Sequence, residues 1–217
     1  MLVVGSQNPH KVAEIESMLE GIPVVVVGAD ILPRGPAVEE SGSTFSANVG
    51  AKAREYAARA AALEGSSRPL WVVADDSGLC VNALGGDPGV CSARYAGENR
   101  SYADNNRKLL QAMRGVPADR RQARFVCAIA CARVPSAPSS EPELLFEIEG
   151  TCEGTIAEEE IGSNGFGYDP IFVDPTSGLT FAQMESDEKN RLSHRGNALR
   201  QFRKRFLKVF ELNQNPP

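Results

Sequence analysis

No apolar run in this 217-residue chain approaches the roughly 20 residues needed to cross a bilayer. The opening MLVVGSQN has neither a basic n-region nor a long apolar stretch, so no secretory leader is expected and the cytoplasm is the expected compartment. Histidine is scarce, with only His10 and His194, and none of the five cysteines forms a CxxC pair. A Cys/His zinc site is therefore excluded as a reading. Cys127 and Cys131, in FVCAIAC, would share one face of a strand and read as small buried hydrophobes. Positive charge is not in excess: 23 Lys and Arg stand against 28 Asp and Glu, a net charge of -5. That balance argues against a nucleic-acid-coating surface but leaves room for a local basic pocket that holds a small anion. The pattern GxxxxGK[ST] is missing as well, which removes a P-loop from consideration.

What is present is an ordinary globular composition, 42% hydrophobic and 24% charged, in a length that suits one large domain or one with an added lobe. LVVG (Leu2 to Gly5) reads as a strand, followed by a helix with Val12, Ile15, Met18 and Leu19 on one face. VVVV (Val24 to Val27) reads as a second strand. Thr44 has the chemistry of an N-cap for an alanine-rich helix running to about Leu63. LWVVA is the next strand, ending at two adjacent carboxylates, and the long segment from Gly78 to Arg100 reads as a functional loop. A helix follows from about Tyr102 to Met113. Two extended runs, ARFVCAIACARV and LLFEIEGTCEGTI, flank a spacer at about residues 134–143 and predict a long hairpin with an inserted tip. A short strand at Ile171 to Val173 and a last helix around His194 to Phe210 complete an α/β pattern, treated as one domain over residues 1–217.

Six segments carry candidate chemistry. SQNPHK (Ser6 to Lys11) is a polar turn opening a helix, where free N–H groups, capping side chains and a lysine suit a phosphate; capping with a solvated lysine is the structural alternative. Glu39 and Glu40 precede the second helix, and Asp75 and Asp76 sit at a strand end. Carboxylates from two such loops suit one Mg²⁺, a hard cation that favours oxygen and phosphate ligands, and would let one aspartate take a proton from water. Exposed loop charges and a turn cap are the competing explanation. GFGYDPIF offers glycines for close backbone approach, aromatics for stacking and Asp169 for a ring N–H. Against that, Phe166 and Tyr168 could simply anchor the loop. SHRGNAL places His194 and Arg195 at a helix start, and Lys189 in EKNR reads by default as a solvated surface lysine.

Together, SQNPHKVAEI, ESGSTFSANVGAKA, ADDSGLCVNALGGDPGVCSARYAG, ARF, GFGYDPIF and EKNRLSHRGNAL resemble the inosine triphosphate pyrophosphatase family, the Ham1/RdgB-like nucleotide hydrolases. The pieces fall in order from residue 3 to about residue 200. The resemblance implies an ITPase-like α/β fold with a central mixed β-sheet, flanking helices and two lobes around a nucleotide cleft, in a homodimer. It implies Mg²⁺-dependent hydrolysis of ITP, dITP and XTP to the monophosphate and pyrophosphate. Carried over by position, Ser6, Gln7, Asn8, Pro9, His10 and Lys11 cradle phosphates, and Lys52 is a further phosphate contact. Asp76 is the proton acceptor and a metal ligand, with Glu39 as second ligand, or Glu40 if the register slips by one. Ser77 touches substrate. Phe166, Gly167, Tyr168, Asp169, Lys189, His194 and Arg195 form the base pocket. Two departures stand out. Ser6-Gln7-Asn8 replaces the family's TGN, removing a glycine from the phosphate turn, and His10 stands where glycine often precedes the lysine; no catalytic role is assigned to it. A Maf-like pyrophosphatase for other modified nucleotides and a non-catalytic nucleotide sensor are the alternative readings.

Overall fold

The computed structural model describes residues 1–6, 9–36, 38, 40–63 and 70–214. Six strands form one mixed sheet in the order β2-β1-β3-β4-β5-β6, where β1 is Leu2–Val4, β2 Val26–Gly28, β3 Trp71–Val81, β4 Gln122–Arg133, β5 Glu143–Ile156 and β6 Phe172–Val173. β1 runs parallel to both β2 and β3, with Val3 opposite Val27 and Val72. β5 and β6 pair antiparallel through Thr155–Val173 and Ile156–Phe172. The helices are α1 (Pro9–Met18), α2 (Phe45–Ala60), α3 (Tyr102–Ala112), α4 (Ser186–Leu192) and α5 (His194–Gln214). The α/β class and mixed sheet expected from the sequence are what the fold shows. No helix among the described residues is long and apolar enough to cross a membrane.

The chain divides into two compact units, one of residues 1–76, 128–149 and 198–217, the other of residues 77–127 and 150–197. The divisions fall inside β3, β4, β5 and the first turn of α5. In the first unit, the runs Leu2–Val4 and Trp71–Ala74 are fully buried or nearly so, as expected for strands covered on both faces. α2 turns Val49, Ala53, Ala57 and Ala60 inward. α5 brings Phe206 edge-on to Trp71 at 5.3 Å between ring centroids, and Phe202 within 5.7 Å of Phe146. The core of the second unit is Leu79, Val81, Leu109, Met113, Phe125, Ile156, Phe172 and Phe181. Arg121 is buried there and, among the described residues, has no carboxylate partner; its guanidinium donates to the carbonyls of Ile156, Met113, Val116 and Ala157. Four acceptors for one planar fork compensate its desolvation.

The elements depart from the sequence pattern in three places. β3 does not stop at the two aspartates but continues through them to Val81, because Leu79 and Val81 have a buried face to fill. The second strand is displaced from 24–27 to Val26–Gly28. α4 forms over Ser186–Leu192, a segment to which the sequence pattern assigns no element. The long segment after β3 is shortened accordingly and contains short 3₁₀ turns at Asn82–Leu84 and Gly89–Arg94.

Candidate active site

The apolar run of β3 delivers Asp75 and Asp76 into the interior, 3% and 9% exposed. Neighbouring strand side chains point to opposite faces, so the two acids meet different helices. Asp75 pairs with Lys11 of α1 at 2.8 Å. Asp76 accepts a hydrogen bond from the Asn48 side-chain amide of α2 at 3.2 Å. Asn48 is itself fixed, since its Oδ1 accepts from the Gly42 N–H at 2.8 Å. One turn further along α2, Lys52 donates to Glu40 at 2.8 Å and to the Asp75 carbonyl at 3.4 Å. The start of α2 is held by Thr44, whose hydroxyl accepts from the Ala47 N–H at 3.1 Å. Capping, helix register and the strand thus place two lysines, two aspartates and an amide together.

The electrostatics follow from burial. Asp76 is held above the ordinary carboxylate value, chiefly by burial and also by the charge of Glu40, against the pull of Asn48, Lys52 and Lys11. A carboxylate in that position is a better proton acceptor than one in water. For Lys52 burial acts to lower the value, but the bond to Glu40 and the charges of Glu40, Asp75 and Asp76 outweigh it, and the amine is raised. Lys52 is therefore a permanent cation at neutral pH. Ser77 follows Asp76 on β3, and its buried hydroxyl oxygen has no hydrogen-bond partner among the described residues.

The carboxylates here, Asp75, Asp76 and Glu40, are hard oxygen donors of the kind Mg²⁺ favours. Among the described residues no group of three or more His, Cys, Asp and Glu side chains is arranged to hold a metal. Glu40, one of the two expected ligand candidates, is engaged by Lys52. Glu39 lies outside the described residues, as do Gln7 and Asn8 and the side chains of Pro9 and His10. Of the expected phosphate turn, Ser6 is described, its N–H donating to the Val4 carbonyl at 2.7 Å, and Lys11 lies on Asp75.

In the second unit a separate constellation forms around GFGYDP. Asp169, 3% exposed, accepts from the Phe166 N–H at 2.7 Å and pairs with Lys189 at 2.5 Å. Lys189 lies 5.0 Å and the Arg195 guanidinium carbon 5.6 Å from the Phe166 ring centre. Lys189 is thus no solvated surface lysine: α4 carries it onto a buried acid. Tyr168 acts as the loop's anchor, 5% exposed, its hydroxyl donating to the Ser92 carbonyl at 2.8 Å. His194 is likewise buried, its ring stacked on Phe125 at 4.6 Å and 13°. Gly165 and Gly167 flank Phe166 at φ +74° and +66°, a left-handed backbone that side chains resist.

This order of motifs on this sheet can be compared with known proteins. The Ham1 family model matches residues 2–205. The chain belongs to the Ham1 family. Relatives of this Ham1 chain include proteins named dITP/XTP pyrophosphatase. That of Xanthomonas oryzae pv. oryzae is 48% identical over 203 residues, covering 91% of this chain and 92% of the relative. That of Caldanaerobacter subterraneus subsp. tengcongensis is 43% identical and covers 98% of both. Among solved structures, a Ham1 protein of Coxiella burnetii superposes with a TM-score of 0.80 at 37% identity, covering 95% of this chain and 98% of that one. Within this Ham1 fold, the residue that sequence reasoning missed is Asn48. Its signal was an asparagine at a helix position beside Val49, itself one turn before the buried Ala53, where a polar side chain needs a fixed partner.

Proposed function

We propose that this Ham1-family protein is a Mg²⁺-dependent nucleoside triphosphate pyrophosphatase that hydrolyses ITP, dITP and XTP to the monophosphate and pyrophosphate. The observation that carries the reading is Asp76, buried and raised in basicity, held by Asn48 and flanked by the cations Lys11 and Lys52. Cleavage of the α–β anhydride needs a base for the incoming water and positive charge for the oxygens of both products. Asp76 takes the water proton, and the Asn48 amide fixes which oxygen is presented. Lys11 and Lys52 neutralise phosphate charge, Lys11 by exchanging the Asp75 carboxylate for a phosphate oxygen. Asp76, together with Glu39 or Glu40, would hold the Mg²⁺, which supplies Lewis-acid polarisation of the phosphate oxygens when bound.

For the base, the chemistry on offer is that of Phe166, Lys189 and Arg195. Hypoxanthine and xanthine carry a carbonyl at purine position 6, where adenine has an amino group. Arg195 and Lys189 carry only donors, so a 6-carbonyl is accepted and a 6-amino group leaves a donor facing a donor. Phe166 provides the stacking face. The protein acts in the cytoplasm as a homodimer, without a nucleic-acid or membrane partner. Product analysis tests the reading: purified protein with Mg²⁺ and ITP, XTP, GTP or ATP, scored for pyrophosphate and orthophosphate. Pyrophosphate from ITP and XTP with little from ATP is the expected result; orthophosphate release, or no turnover, would overturn it. Light scattering during size exclusion tests the dimer.

A further inference from the structure

We infer that Tyr102 is a positioning residue for the base, acting by holding the Phe166 ring in its stacking orientation. The inference rests on the purine-pocket reading above and extends it to a residue outside the GFGYDP and SHRGNAL segments. Phe166 sits between two glycines with left-handed backbone, so the chain itself does little to fix the direction of its ring. Its backbone is tied down, through the N–H donated to Asp169, but that bond leaves the side chain free to turn. Two cations lie over the ring, Lys189 at 5.0 Å and Arg195 at 5.6 Å from its centre. Both are donors a purine carbonyl would recruit, so neither can be relied on as the ring's support once a base is bound.

Tyr102 is the neighbour without such a competing duty. Its ring centroid lies 6.1 Å from that of Phe166 with 41° between planes, within the range in which aromatic pairs attract. The side chain belongs to the first turn of α3, whose start is clamped by a capping box: the Ser101 hydroxyl accepts from the Asp104 N–H, and the Asp104 carboxylate accepts from the Ser101 N–H at 3.1 Å. Leu109 on the same helix and Met113 just past its end are buried in the core, which fixes the helix's rotation. Tyr102 itself is 52% exposed and is not part of the second unit's core. A large aromatic half in solvent, on a rigid helix and touching the stacking phenylalanine, is placed to support that ring from outside.

The test is steady-state kinetics with ITP and Mg²⁺ on the wild type, Tyr102→Ala, Tyr102→Phe, Phe166→Ala and the double variant with both alanines. Exposure at a helix start makes the Tyr102 variants safe for folding, which circular dichroism verifies. Loss of one aromatic pair predicts a KM for ITP raised about three- to tenfold in Tyr102→Ala, with kcat within about twofold. Tyr102→Phe keeps the ring and should restore the wild-type KM. Because Tyr102 acts through Phe166, the double variant should match Phe166→Ala alone. A wild-type KM in Tyr102→Ala, failure of phenylalanine to restore it, or additive losses in the double variant would overturn the inference while leaving the pyrophosphatase reading standing. A wild type inert toward ITP would overturn both.

Discussion

Asp76 carries two demands that conflict. As a proton acceptor it must be ionised, yet it is buried, and burial is the largest influence lifting its pKa. The folded state therefore binds its proton more tightly than the unfolded chain does, and ionising it costs stability. The sign follows: below the ordinary carboxylate value, near 3.8, the penalty is absent; it builds as pH rises through the raised folded value and is fully present above it. Asp76→Asn removes that charge and leaves a group that can still meet the Asn48 amide. Thermal melts of metal-free protein between pH 4 and 8 should show the variant matching wild type at the acidic end and overtaking it toward neutrality. Turnover should fall by at least about a hundredfold, the range expected for loss of a positioned base. A variant that melts lower at pH 7, or that retains turnover, would remove Asp76 from this role. At the same scale lies a failure of sequence reading: Lys189 is on Asp169 and Tyr168 is on Ser92, and neither pairing has a local signature, because the partners are 20 and 76 residues apart. The acid pair itself was legible because an apolar strand running into two carboxylates has few structural explanations.

Elements set the reach of those side chains. α2 presents Asn48 to Asp76 and Lys52 to Glu40 one turn apart, so the start of that helix controls both contacts. Thr44 was legible as its cap, since a threonine before an alanine-rich run is a strong start signal, and the hydroxyl does accept from Ala47. Thr44→Ala should cost about 1 kcal/mol in urea unfolding, the usual value of such a cap. A loss well under that figure would mean the helix start is held by Asn48 and Gly42 rather than by the hydroxyl. The GFGYDP loop makes a sharper case. At Gly165 a Cβ would fall onto the Asp169 carboxylate and 3.1 Å from the Lys189 amine, at a φ of +74°. Gly165→Ala is expected to cost about 1–2 kcal/mol from backbone alone. It should also raise KM for ITP by about tenfold, as the Asp169–Lys189 pair moves. An unchanged KM with a lowered melting temperature would show that this pair serves the loop and not the ligand. Element boundaries were less legible than element types. β3 and α4 both carry polar residues that look like loop until the hydrophobic partners of Leu79, Val81 and Leu192 are known from segments distant in sequence.

At the scale of the whole molecule, the chain crosses between its two compact units inside β3, β4, β5 and α5, so no linker marks the division and the composition of the chain does not announce it. Strands that serve both units must remain covalently simple and well packed, and their cysteines show how the fold treats them. Cys127 and Cys131 are fully buried in β4, and burial lifts the Cys131 thiol far above its ordinary value. Cys152 on β5 is half-buried and pushed up to about 11, first by burial and then by Asp174 and Glu153. Cys91 is exposed, and none of the five cysteines is in a disulfide. Thiolate is the reactive form, so reactivity should follow exposure and pKa. Native protein at pH 7.5 should react rapidly with an aromatic disulfide reagent at Cys91, slowly at Cys80 and Cys152, and at Cys127 and Cys131 only as the sheet opens. Dithiothreitol should leave the melting temperature unchanged, because no bridge constrains the unfolded chain. Labelling followed by mass spectrometry, repeated across a urea titration, reads the order directly. If Cys127 and Cys131 label together at the global unfolding midpoint, the sheet opens as one cooperative unit across the division. Labelling of either one at lower urea would show that the two units unfold separately, and that β4 is the strand along which they part.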